Sequence, residues 1–358
     1  MALISTDVNN VKNDSRLIYF DYFRAFAILL IILGHCYNAW PRNQLWESAL
    51  VNIISGNTAL FVFISGFFFH HVYFPKYNYW TLVKTKTKFV FLPYLILSLL
   101  FITYYYFNSG EIVMIKYLNA YFNSQLNSLS LIIINLVTGR TMWAYWYIPF
   151  AMLIFLLSPV FIKFIHLKLA TKIKITASLF ILSIFVQRPF MEINPFHSLL
   201  YFVPYYLLGI IYSMERIKIN TWIEGKVFPL LLVTILIAMT MCLLGQTDNA
   251  GKASILAWRG PDYMIFQKLS LIIFMLAFTM HLQKYDMRFL KTIANMSFAL
   301  YFLHQWILSF MSNLGMLDFQ HGFGGVVLIF IIVATFSYLL ARVVKLLLGS
   351  ISRYVIGW

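Results

Sequence analysis

Apolar residues fall in blocks too long for a soluble core, separated by short polar stretches. The blocks lie near residues 17–38, 50–73, 89–107, 143–165, 172–187, 196–214, 227–245, 265–282, 293–313 and 324–349. Most approach the roughly 20 residues that a helix needs to cross a bilayer. The pattern predicts an all-α, polytopic transmembrane helical bundle of about ten membrane spans. Residues 1–16 are expected as a cytoplasmic tail, 17–349 as the membrane domain and 350–358 as a second cytoplasmic tail. The stretch "LSLIIINLVTG" (129–139), shorter than a span, is expected to be re-entrant or interfacial.

Composition supports this reading. The 358 residues are 61% hydrophobic and only 11% charged, against about 45–50% apolar and about 25% charged in soluble domains. The formal net charge of +15 would suggest nucleic acid in a soluble protein. Here the cations cluster in alternate connections: Lys84, Lys86 and Lys88, then Lys168, Lys172 and Lys174, then Arg216, Lys218 and Lys226. That alternation is the positive-inside pattern. It predicts both termini on the cytoplasmic side of the membrane, with membrane lipids rather than nucleic acid as surroundings. Cys36 and Cys242 are isolated, and His70–His71 is the one adjacent histidine pair, so no metal site is expected.

The first block breaks its own pattern. "FDYFRAFAILLIILGHCYNAW" (20–40) carries Asp21, Arg24 and His35. An ionisable residue inside a span costs a few kcal/mol and usually faces a bundle interior or a polar cavity. Arg24 and His35 are eleven residues apart, so on a helix they share one face about 16 Å apart along the axis. They cannot touch; something long must fill the gap. Arginine grips phosphate, and histidine exchanges a proton near neutral pH. The spacing suits a phosphorylated donor stretched from Arg24 to His35, with Asp21 three positions before Arg24 as its partner. The plainer alternative is that Arg24 snorkels to the interface and His35 caps polar groups at the helix end.

Other segments add candidates. "FISGFFFHH" sets Ser65 beside Gly66, as a ligand contact or as close helix packing. "SFALYFLHQW" puts Ser297, Tyr301 and His304 on one helix face. "TGRTMWAYWYIPF" sets Arg140 beside Trp143, Trp146 and Tyr147, as an interfacial belt or as a sugar-stacking lip with a cationic anchor.

Together these pieces resemble acyltransferase family 3, integral membrane enzymes. The arginine–ten residues–histidine spacing of Arg24 and His35, "LFVFISGFFF", "WYIPFAMLIFLLSPVF", "YYLLGIIY" and "SFALYFLHQWIL" match its motifs in order from about residue 16 to 345. One motif departs: where many members carry glutamates after the tryptophan, this chain reads "WYIPFAML" without an acid. The resemblance is to the short stand-alone branch that includes polysaccharide and enterobacterial common antigen O-acetyltransferases. It implies transfer of an acyl group, usually acetyl from cytoplasmic acetyl-CoA, to a hydroxyl of an extracytoplasmic glycan or glycolipid. Arg24 and Ser65 would then contact the donor. His35 would be the general base or a transient acyl carrier, Asp21 would orient Arg24, and His304 would assist at the tetrahedral intermediate or the acceptor. Arg140, Trp146 and Tyr147 would meet the acceptor. An exporter of a polysaccharide or lipid-linked sugar is the competing reading; dependence on acyl-CoA and on His35 separates the two.

Overall fold

The computed structural model describes residues 17–37, 40–317 and 322–358. The expected N-terminal tail, 1–16, lies outside the described residues. The fold is almost wholly helical. In order come α1 (Ile18–Leu33), α2 (Leu45–Ile54), α3 (Thr58–Phe68), α4 (Tyr79–Lys86), α5 (Leu92–Ser109), α6 (Ile115–Phe122), α7 (Ser128–Thr138) and α8 (Tyr147–Leu156). There follow α9 (Ser158–Ile165), α10 (Leu169–Val186), α11 (Pro195–Ile223), α12 (Val227–Leu243), α13 (Met264–Leu282), α14 (Arg288–Asn313), α15 (Phe323–Leu348) and the short α16 (Ser352–Val355). The described strands are two-residue pieces, Arg188–Pro189 and Gly251–Lys252, paired in parallel.

Each of the ten expected apolar blocks falls largely within helix. Among the described residues, six helical stretches qualify as crossings by length and composition. The pair α8–α9, bent by 57°, would make a seventh. Two of the remaining blocks form shorter helices, α1 with 16 residues and α12 with 17. The third, α14, is 26 residues long but carries Asn295, Ser297, His304 and Gln305 along it. The segment 129–139 is the eleven-residue α7, stopped by Gly139 at φ +72°.

Two contacts set the frame around the site. Helices α3 and α11 cross at Gly66 and Gly209. A Cβ on Gly66 would overlap the Tyr206 carbonyl, and one on Gly209 would overlap the Phe63 carbonyl. Small residues at such a crossing let the backbones approach and gain dispersion contacts where lipid offers no hydrophobic drive. Helix α1 packs along α14 and α13, and its buried aromatics Phe20 and Phe23 meet Phe67 and Phe63 of α3. The chain's last turn folds back, with Ile356 buried and Arg353 3.8 Å from the Phe89 ring.

Candidate active site

Helix α1 supplies both ends of the site. Near its start the Arg24 side chain is 27% exposed, and its Nη2 lies 3.3 Å from Asp21 Oδ1. The guanidinium sits 6.0 Å from the Phe68 ring. Asp21 is itself buried, so the pair presents Arg24 rather than the carboxylate. At the other end the helix stops at Gly34, whose missing side chain leaves room for the Ile54 carbonyl of α2; a Cβ there would stand 2.8 Å from that oxygen. His35 follows in the turn.

A cavity of about 280 Å³ joins these ends and is lined by both Arg24 and His35. Helix α3 contributes Ser65, α8 and its approach contribute Trp146 and Tyr147, and α14 contributes Ser297 and Tyr301. A second cavity of about 310 Å³ shares Arg24, Ser65, Phe68, Lys86 and Phe155 with the first. The gap that the spacing of Arg24 and His35 demands is thus an apolar-walled space with a cation at one end.

Ser65 and Gly66 are placed differently. Gly66 makes the helix crossing, while Ser65 lines both cavities. The Ser65 hydroxyl lies 3.2 Å from Tyr147 Oη, so the two polar groups steady one another in the wall. Trp146 is buried, stacked on Phe202 with ring centroids 5.6 Å apart.

Helix α14 brings three residues of one face to this region, with different roles. Ser297 and Tyr301 line the cavity, and Tyr301 Oη donates to the Ala144 carbonyl. His304 is fully buried, its ring centroid 5.3 Å from that of His35. Gln305 Nε2 donates to His304 Nε2 at 2.8 Å, which leaves Nδ1 to donate to the Leu300 carbonyl at 3.0 Å. Both ring nitrogens are thereby engaged by its own helix. His304 stands beside the His35 ring.

Arg140 is placed differently from a surface lip. It is 2% exposed, with its guanidinium 4.4 Å from the Trp143 ring. Trp143 is the exposed member of that aromatic group, while Trp146 and Tyr147 form cavity wall. Within the turn 139–146, Gly139 lies directly against the Trp146 backbone.

Three residues of the region went unrecognised as site candidates in the sequence. Lys86 reads there as one of several loop cations. In the fold it lies at the end of α4, where a π-helical turn (Thr87–Phe91) carries the helix on into α5. Its Nζ donates to Tyr73 Oη at 3.0 Å and rests 4.7 Å from the Phe155 ring. The one available signal was the helix-compatible run from Tyr79 into the third apolar block, which draws Lys86 towards the membrane. Arg188 and Glu192 pair at 2.5 Å in the connection before α11, and Arg188 lies 5.6 Å from the Trp146 ring. No local pattern announces that contact.

The arrangement can bind a phosphate-bearing chain at Arg24 and Lys86, and can exchange a proton at His35. No described group of three or more His, Cys, Asp or Glu side chains is arranged to hold a metal ion. No curated protein and no solved structure matches this chain. The family model described as "Acyltransferase domain" matches residues 17–342. That match covers nearly the whole described bundle, and the chain therefore belongs to acyltransferase family 3, the membrane acyltransferases.

Proposed function

We propose that the chain moves an acyl group, acetyl in the first instance, from acyl-CoA to a hydroxyl of a glycan or glycolipid on the opposite side of the bacterial inner membrane. The observation that carries this reading is the cavity bounded by Arg24 and Lys86 at one end and His35 at the other. The phosphates of the donor would pair with the two cations. The pantetheine arm would lie along the wall formed by Phe68, Phe155 and Tyr147, carrying the thioester to His35. With both termini cytoplasmic, as the loop charges favour, the Arg24 end faces the cytoplasm and the donor enters there.

The transfer then needs one base. His35 takes the proton of the acceptor hydroxyl as its oxygen bonds to the thioester carbonyl carbon. The tetrahedral intermediate collapses, the C–S bond breaks, and the imidazolium returns its proton to the departing thiolate. His304 holds the His35 ring from behind, and Asp21 orients Arg24.

The test is direct. Membranes with wild type or His35→Ala receive labelled acetyl-CoA and total envelope glycan. Label on glycan with wild type alone supports the proposal. No label from acetyl-CoA or other acyl-CoA donors with native acceptors would overturn it and favour an exporter. Reporter fusions placing the C-terminus outside the cell would overturn the assigned direction.

A further inference from the structure

Resting on that reading, the acceptor's chemistry can be narrowed from two buried arginines beside the His35 end. Arg140 Nη1 donates to the Trp143 carbonyl at 3.4 Å. Among the described residues, its buried Nε and Nη2 meet no hydrogen-bond acceptor. Arg188 pairs through Nη2 with Glu192 and through Nη1 with Asn249 Oδ1, while its buried Nε also meets none. Glu192 acts electrostatically on both arginines, and Asp248 and Asp262 act on Arg188. The close ion pair commits Glu192 to Arg188. Arg140 is left with a whole guanidinium edge unanswered.

That edge has a specific geometry. Nε and Nη2 point the same way, as the fork that takes a carboxylate or phosphate through two parallel hydrogen bonds. Leaving a buried donor unmet costs about 1–3 kcal/mol, more when it is charged, so a ligand oxygen there is strongly favoured. The location is set by Trp146. Gly139 has no room for a Cβ against the Trp146 backbone, so the turn carrying Arg140 folds onto it, and Arg188 lies over the Trp146 ring. Trp146 lines the cavity together with His35, and both arginines act electrostatically on the His35 ring.

We propose that Arg140 and Arg188 form an anion subsite, and that the acceptor carries a carboxylate or phosphoryl group held there while its hydroxyl faces His35. Glu192 and Asn249 are positioning residues for Arg188.

The experiment measures binding to the full chain in nanodiscs, without acyl donor, by tryptophan fluorescence. Methyl glucuronide is compared with methyl glucoside, and glycerol phosphate with glycerol. The anionic member of at least one pair should bind about tenfold tighter or more, as expected of a charge-assisted bidentate contact. The pair with the larger ratio identifies the source as carboxylate or phosphoryl. Arg140→Gln should bring the ratio to about one, and Arg140→Lys should keep part of it. Equal affinity for both members of both pairs in wild type would overturn the subsite, leaving water to meet these nitrogens. A ratio unchanged in Arg140→Gln would overturn the role of Arg140. Because no donor is present, failure of acetyl-CoA transfer would count against the donor assignment alone.

Discussion

The two ends of the cavity solve the problem of buried charge in opposite ways. At the Arg24 end, Arg24 and Lys86 are only partly buried and rest against aromatic rings, and Lys86 donates to a tyrosine hydroxyl. Cations held that way keep much of their hydration and can exchange it for ligand phosphate at small cost. At the His35 end, His304, Arg188 and Tyr301 are buried and fixed by specific hydrogen bonds. Dipoles fixed in advance, away from water, need no reorganisation when charge develops during a reaction. On the proposed function, the first end would bind and release the donor and the second would hold the geometry for transfer. Changes at the Arg24 end should therefore appear in the donor KM, and changes at the His35 end in kcat.

The sharpest way to break the contrast is His35→Ala. Loss of a general base should lower kcat by about 10²–10⁴-fold, with membrane insertion unchanged and donor KM within a few-fold. Steady-state transfer assays check this, and normal turnover would remove His35 from the chemistry. Next comes Gly66→Ala, at the crossing that both ends depend on. The added methyl collides with backbone rather than a flexible side chain, so a destabilisation of about 3 kcal/mol is expected, read as a lower thermal unfolding midpoint. An unchanged midpoint would mean that the crossing yields easily.

Arg24→Ala should raise the donor KM about tenfold or more, the worth of one charge-assisted contact, with kcat little changed. A fall in kcat at unchanged KM would merge the two ends into one functional unit. Lys86→Gln should act in the same direction but less, since its ammonium is a single point charge; calorimetry with CoA would register it. The smallest effect is expected of Ser65→Ala, which removes the partner of Tyr147 Oη. About 1 kcal/mol is at stake, and a several-fold rise in donor KM would show it.

The legibility of the site follows the same division. Arg24 and His35 were readable because their cost in a span and their helical spacing are local facts, as was the shared face of Ser297, Tyr301 and His304. What that face does was not readable. Two of its residues line the cavity, while the third turns both nitrogens to its own helix. Ser65 and Gly66 formed one motif with two open readings; the fold puts Gly66 at the helix crossing and Ser65 in the cavity wall. Lys86 was hidden among ordinary loop lysines, because its ring partners Tyr73 and Phe155 come from other parts of the chain.

By itself the sequence determined the class of the protein: a helical membrane bundle, its apolar blocks, and one helix carrying a cation and a histidine on a common face. Those properties depend on hydropathy and on the 3.6-residue period, both set by near neighbours in the chain. The tertiary structure alone decided that a cavity joins Arg24 to His35, that His304 stands behind His35, and that Arg140 is buried and Arg188 brought over Trp146. Each of these joins segments far apart in sequence. Such contacts arise from how helices cross and turns fold back, which no local periodicity encodes.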